Sequence, residues 1–258
     1  MQRRFFCLSD TGRVRTNNED AVLTDPASGL ALLADGMGGY NAGEVASALA
    51  IEAVLQGLQD RLRRPPGSGE LQRWMLASIE AANARILAAA WQDARHRGMG
   101  TTLVAAAFTA TRLVVGHVGD SRLYRFRQGQ LVQLTRDHSL LQEQIDAGLI
   151  SASLARQVPY KNVVTRALGV GLDIRPDIGE HAVQAGDTYL LCSDGLNDML
   201  SDAQIAATLR REPALEAAGH ALLAQANDAG GRDNVSLILV QCAPEHAHPR
   251  HASLTPMT

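Results

Sequence analysis

The chain has 258 residues, 46% of them hydrophobic and 20% charged, with a formal net charge of −3. That is the balance of a globular chain of one large or two small domains, and its sign argues against a nucleic-acid or other polyanion binder. No run approaches the ~18 apolar residues of a membrane span, and MQRRFFCLSD turns polar too soon for a signal peptide, so a cytoplasmic protein is expected.

Short strands are predicted at Phe5–Ser9, Ala21–Thr24 and Leu30–Ala34. Asn41-Ala-Gly-Glu44 reads as an N-cap with an acid three residues on, opening a helix that ends near Leu58. RLRRPPGSG breaks the pattern, and a second helix follows over about Glu70 to Ala94, with Leu71, Trp74, Met75, Ile79, Ala82 and Ile86 at helical spacing. Three strands come next, Leu103–Thr109, Arg112–Val118 and Arg122–Arg127, the last turning at Gln-Gly into Leu131–Leu134. The stretch from Asp137 to Lys161 is polar and helical in pattern. Strands resume near Val163, at Ile178–Val183 and at Thr188–Cys192, then helices near Asp202–Arg210 and Pro213–Asn227, and a last strand at Val235–Gln241. Residues 244–258, including EHAHPRH, carry no periodicity and read as a disordered tail. Strands in hairpin-connected groups and helices in pairs suit two antiparallel sheets packed face to face with helix pairs outside, in one domain over residues 1–243. Cys7, Cys192 and Cys242 lie in or beside apolar runs with no C-x-x-C spacing, which fits buried thiols in a reducing compartment better than disulfides or zinc.

The chemistry lies in carboxylates at strand ends. Asp35 follows LALLA, Asp120 follows LVVGHVG, Asp194 follows TYLLCS, and Asp233 stands just before NVSLILV. Any one Asp-Gly after a strand is most simply a turn. Four acids that antiparallel pairing can gather on one rim would repel one another unless cations sat among them. With no His or Cys at these positions the donors are all oxygen, which favours Mg²⁺ or Mn²⁺ over zinc. Gly36, Gly38 and Gly39 are expected to turn the backbone sharply and let a main-chain carbonyl approach an ion. Near the N-terminus, TGRVRTNNED brings Arg13 and Arg15 beside Glu19 and Asp20. A guanidinium next to such a site would suit a phosphate ester, although two surface arginines and a solvated acidic pair is the plainer reading of that segment alone.

The set G-x-V-R-T-N-N-E-D, L-A-D-G-M-G-G, G-M-G-T-T, H-V-G-D-S-R, R-A-L-G, L-C-S-D-G-L and G-R-D-N-V-S resembles, in order from about Ser9 to Gln241, the bacterial branch of the metal-dependent type 2C Ser/Thr protein phosphatases, the PPM family. The resemblance implies an α/β class fold, an α/β/β/α sandwich. It also implies hydrolysis of phosphoserine and phosphothreonine by direct attack of a metal-bridging hydroxide. Asp35 would bridge two Mn²⁺ or Mg²⁺ ions, Gly36 would give its carbonyl to one, and Asp194 and Asp233 would hold the other. Glu19 and Asp20 would act through water, and Asp120 would share a third, weaker ion with Asp194. Arg15, not Arg13, matches the phosphate-binding arginine. Residues 137–161 correspond to a flap that influences substrate choice and carries no chemistry. Many eukaryotic relatives have a histidine where Met37 stands. The proton for the leaving group must then come from elsewhere, with His117 and His138 as weak candidates beside water. Thr101 and Thr102 are expected to hold strand starts, and Ser121 and Ser193 to orient neighbouring acids. The expected partners are phosphorylated proteins, substrates of a cognate kinase, with no nucleic acid and no membrane. The rivals are a silent phosphoprotein-binding module, which should lack some of these acids, and a phosphatase of small esters.

Overall fold

Side chains alternate across a strand, and that alternation sorts the apolar residues of this chain into three cores. In the computed structural model, which describes residues 1–38, 42–67, 69–151 and 163–244, one sheet contains β2 (Asp20–Asp25), β3 (Leu30–Met37), β5 (Leu103–Phe108), β6 (Arg112–Val118) and β9 (Asp177–Ala182), in that order. The two-residue β4 (Gly100–Thr101) pairs with the far end of β3. The second sheet runs β1 (Gln2–Asp10), β11 (Val235–Ala243), β10 (Thr188–Cys192), β7 (Arg122–Arg127) and β8 (Gln130–Gln133). The pairings are antiparallel throughout.

On β3, Leu30, Leu32 and Ala34 pack against α1 (Ala42–Leu58) and α2 (Glu70–Gln92), and on β5 Leu103, Ala105 and Ala107 do the same. The alternate residues, Ala31, Leu33, Val104 and Ala106, meet Tyr189, Leu191, Ile238 and Val240 of the other sheet. The outer face of that second sheet, Leu190, Cys192, Leu237 and Leu239, is covered by α4 (Asp194–Asn197), α5 (Asp202–Arg211) and α6 (Leu215–Asp228). Central strands buried on both faces show no polar side, which is why they read as continuous apolar runs. The result is the four-layered α/β/β/α sandwich expected from the sequence. Cys7, Cys192 and Cys242 are free thiols, the last two buried. Among the described residues no helix is long and apolar enough to cross a membrane.

Several boundaries differ from expectation for identifiable reasons. β3 does not stop before Asp35 but runs on to Met37, because β4 supplies partners: Gly36 opposite Thr101 and Met37 opposite Gly100. The second helix ends at Gln92, where Asp93 accepts a hydrogen bond from the Arg95 amide and starts a 3₁₀ turn. The strand expected near Val163 reduces to one bridge between Val164 and Ser139. The flap-like segment contains α3 (Leu140–Asp146), capped by Ser139, whose side chain accepts from the Gln142 amide. Its remainder at 152–162, the proposed cap Asn41, Gly39, and the tail from 245 lie outside the described residues.

Candidate active site

The odd-numbered residues of β3 face the seam between the sheets, so Asp35 continues the row Ala31, Leu33 at the seam's end. Asp20 sits directly opposite it on β2 and shares its face. From the second sheet, Asp194 opens α4 just beyond β10, and Asp233 lies two residues before β11. Asp120 follows β6 after Gly119, whose φ of +106° makes the turn. Arg15, Glu19, Asp35, Asp120, Asp194 and Asp233 thereby line one cleft of about 290 Å³, edged by Met37, Gly38 and Val164. Asp20 lies behind them. Its Oδ2 accepts from the Ser193 hydroxyl at 2.8 Å, while its Oδ1 is buried without a hydrogen-bond partner.

The glycines serve a different purpose from the sharp turn expected of them. Neither Gly36 nor Gly38 has a positive φ, and Gly36 sits inside β3. A Cβ on Gly36 would lie 2.2 Å from the Gly43 carbonyl oxygen and 2.6 Å from that of Glu19, and a Cβ on Gly43 would lie 2.7 Å from Glu19 Oε2. Absent side chains let the strand, the first turn of α1 and the Glu19 segment nest.

Crowding shows in the acidities. Burial first, then the charges of Asp20, Asp194, Asp120 and Asp233, push Asp35 well above the usual carboxylate range. Asp194 is raised likewise by burial and by Asp120, Asp198 and Asp233. Burial carries Asp120 up to about 7, with Asp137 adding to it, and Asp20 up to about 6 against the hydrogen bonds it accepts. Glu19 is also raised, mainly by burial. The cation facing them is Arg15, whose Nη2 lies 2.8 Å from Asp233 Oδ2.

The threonines hydrogen-bond at the strand ends as expected, while the serine hydroxyls reach Thr102 and Asp20 rather than the acids beside them, Asp120 and Asp194. Asp35 donates its amide to Thr102 Oγ1 at 3.0 Å, and its carbonyl accepts from Thr101 Oγ1 at 2.9 Å. The Thr102 and Ser121 hydroxyls, 2.7 Å apart, tie Asp35 to the Asp120 turn. Two residues escaped the sequence reading. Asn234 accepts from the Glu19 amide at 2.9 Å and donates to the carbonyls of Thr11 and Asn17 at 3.0 and 2.8 Å, holding the whole Arg15 loop. Its only signal was its place beside Asp233. Asp198, one turn along from Asp194, adds charge felt by both Asp194 and Asp120.

Other candidates fall away from the cleft. The Arg13 amide donates to the Gly231 carbonyl, and its side chain does not line the site. His138 exchanges two hydrogen bonds with Gly119, and His117 Nε2 lies 2.8 Å from the Arg136 carbonyl oxygen, the two rings being stacked at 4.5 Å. Neither ring lines the cleft, so neither stands where a leaving group would need a proton. With Asp177 the two rings offer donor atoms within 4.8 Å of one another. A cation already occupies that corner: Arg166 Nη1 is 3.2 Å from His138 Nε2 and 3.4 Å from Asp177 Oδ1. Asp137, at the root of the flap-like segment, grips Arg122 through bonds of 2.6 to 3.0 Å.

The four-layered fold and its acidic cleft belong to one class of protein: residues 12–235 match the family model described as Protein phosphatase 2C. The chain belongs to that family. It is 41% identical over 236 residues to the serine/threonine protein phosphatase PstP of Mycobacterium tuberculosis (strain ATCC 25618 / H37Rv), covering 92% of this chain but 44% of PstP. It is 36% identical to the serine/threonine phosphatase stp of Listeria innocua, covering 90% of this chain and 93% of stp. A solved structure of the PstP catalytic domain in complex with two manganese ions superposes with a TM-score of 0.84 at 40% identity, covering 94% of this chain and 99% of that one.

Proposed function

We propose that this chain hydrolyses phosphoserine and phosphothreonine esters of proteins at a cleft that takes two divalent cations, Mn²⁺ or Mg²⁺, and a weaker third. The observation that carries this is the convergence of Glu19, Asp20, Asp35, Asp120, Asp194 and Asp233 with Arg15 as the facing cation. An all-oxygen set, in which Glu19, Asp20, Asp35, Asp120 and Asp194 hold their protons more tightly than free carboxyls do and Asp20 Oδ1 is buried and unpartnered, fits hard divalent ions. Asp35 would stand between two of them with the Gly36 carbonyl beside one, and Asp194 and Asp233 would hold the other. Glu19 and Asp20 would act through water, and Asp120 with Asp194 would hold the third. When bound, such ions supply Lewis acidity toward water and phosphoryl oxygen near neutral pH.

The chain's own residues then have distinct tasks. Arg15 exchanges its contact with Asp233 for two phosphoryl oxygens, fixing the ester and offsetting charge that builds in the transition state. Thr102 lines the cleft, but its hydroxyl is committed to Asp35 and Ser121. Water rather than a side chain is therefore the attacking group. Met37 offers no proton, so the leaving oxygen takes one from water. All the acids of the set and Arg15 are present, which disfavours the silent-module reading. We place the substrates among products of a Ser/Thr kinase in a reducing cytoplasm, in keeping with the free thiols.

The test is hydrolysis of a phosphothreonine peptide against Mn²⁺ and Mg²⁺ concentration, with Asp35→Ala and Asp233→Ala in parallel. Metal-dependent turnover that both variants lose is expected. A folded, Mn²⁺-loaded chain without turnover would revive the silent module, and turnover of aryl phosphates alone would change the substrate class.

A further inference from the structure

Asp120 hangs on a turn that the chain alone would leave loose. The residue before it, Gly119, has a φ of +106°, and a Cβ there would lie 2.6 Å from Thr102 Cβ. The position therefore takes glycine, the residue with the greatest backbone freedom. Asp120 itself is buried and lines the cleft. On its far side Ser121 is tied down, its hydroxyl 2.7 Å from that of Thr102. On its near side the glycine needs a clamp from outside.

One residue supplies that clamp. The His138 amide donates to the Gly119 carbonyl oxygen at 2.9 Å, and its ring Nδ1 accepts from the Gly119 amide at 3.2 Å. The first bond fixes the peptide plane that leads into Asp120, and the second fixes the plane before it. Both dihedral angles of Gly119 are thereby set by His138. Without the ring nitrogen a buried amide would lose its acceptor, which is costly.

His138 is in turn held rigidly. Its buried ring stacks on His117, with 4.5 Å between centroids and 25° between planes. Because Nδ1 accepts a hydrogen bond, the ring's own proton sits on Nε2, which faces Asp177 Oδ2 at 3.5 Å. Arg166 Nη1 reaches the other oxygen of that carboxylate at 3.4 Å. Along the chain, Asp137 grips Arg122 on one side and Ser139 caps α3 on the other. The His138 carbonyl accepts from the Thr165 amide at 2.8 Å, next to Val164 on the edge of the cleft. Packing alone does not call for a nitrogen at this point. A phenyl ring would stack on His117 equally well, but it would set a C–H against the Gly119 amide.

We propose that His138 is a positioning residue for Asp120. Its ring Nδ1 fixes the Gly119 turn and so sets the direction of the carboxylate that shares the weaker third cation with Asp194. The ring touches neither substrate nor ion. This rests on the metal-dependent reading above.

The experiment uses two substitutions that separate the acceptor from the ring. His138→Asn puts an amide oxygen where Nδ1 stands and gives up the ring, whereas His138→Phe keeps a ring and gives up the acceptor. Mn²⁺ binding is read by titration calorimetry, and turnover with a phosphothreonine peptide, both well below each unfolding midpoint. In His138→Phe the weakest-bound Mn²⁺ should loosen by about 10- to 100-fold, the usual effect of removing a partner behind a metal ligand, while the tighter ions stay as in wild type. The loss should fall on kcat and not on KM, because Arg15 is untouched. His138→Asn should stay close to wild type in both measurements. Any other order overturns the proposal, including equal losses in the two variants. A greater loss in His138→Asn would mark the ring as packing alone. Wild type supplies a check that needs no variant. In the Mg²⁺-loaded, isotopically labelled protein, a scalar coupling should connect the Gly119 amide nitrogen with His138 Nδ1, and a protonated Nδ1 would overturn the proposal. An Asp120→Ala variant with wild-type Mn²⁺ binding would instead refute the assignment of Asp120 on which this inference depends.

Discussion

Replacing Gly36 with alanine tests whether the close approach of β3 to α1 builds the site. The new Cβ would stand 2.2 Å from the Gly43 carbonyl oxygen and 2.6 Å from that of Glu19, both backbone atoms that cannot rotate away. Ordinary carbon–oxygen contacts are about 3.3 Å, so α1 or the Glu19 segment must retreat by roughly 1 Å. Overpacking a well-fitted interior costs about 1–3 kcal/mol, and rigid opposing atoms put this case at the upper end. For a chain of this size each kcal/mol lowers the unfolding midpoint by about 2–4 °C, which gives a fall of roughly 6–12 °C. Activity should drop further than stability, by about 100-fold, because Asp35 and Glu19 sit on the two segments being pushed apart. Thermal unfolding, together with kcat/KM against Mn²⁺ concentration well below the lower midpoint, reads both effects. A variant with an unchanged midpoint and wild-type metal dependence would refute the reasoning.

Other outcomes follow from the same geometry. Asn234→Ala removes three hydrogen bonds that hold the Arg15 loop, leaving the Glu19 amide without its partner at a cost of about 1–3 kcal/mol. Its mark should be a raised Mn²⁺ requirement with a modest fall in the unfolding midpoint, and a wild-type metal titration would count against it. Arg15→Ala should scarcely change stability, since its pair with Asp233 is exposed and such pairs contribute about 1 kcal/mol or less, but it should raise KM and lower kcat for phosphopeptides. Equal losses of stability and activity would mean that Arg15 is structural. The raised acids fix the sign of a pH effect. Asp20 at about 6 and Asp120 at about 7 keep protons in the folded chain that the unfolded chain has released. Stability of the metal-free protein therefore falls as pH rises from about 4 toward 7, and saturating Mn²⁺ should abolish the fall. A metal-free midpoint that is flat across that interval, read by differential scanning calorimetry, would show that the acids are not crowded.

Strands β6, β7 and β10 were readable to the residue: β10 and the body of β6 are apolar runs buried on both faces, while β7, RLYRFR, was bounded by the Gln-Gly turn that follows it. The acids were readable as a group because each stands next to such a run. What escaped was information that exists only across the chain. β4 is a glycine and a threonine with no propensity of their own, and it forms because Met37 and Gly36 lie alongside. Asp35 looked like a strand end for the same reason. α4 is four residues long, too short for a helical period. Gly36 reads locally as a turn residue, and only the position of Gly43 reveals that it is a packing contact. Asn234 binds Thr11, Asn17 and Glu19, more than two hundred positions away.

The pairing of β1 with β11 sets the order in which the molecule can come into being. Gln2 lies opposite Ala243 and Asp10 opposite Val235, so two strands more than two hundred positions apart in the chain hydrogen-bond to each other in this sheet. At synthesis rates of about 5–20 residues per second, β1 waits roughly 10–50 s for its partner. Throughout that interval it is an open edge, the kind of surface that invites pairing with other chains. Asp233, made just ahead of β11, completes the acidic cluster at that moment. The link from β1 to the rest of its sheet and the full set of cleft acids are thus acquired together, once β11 is made.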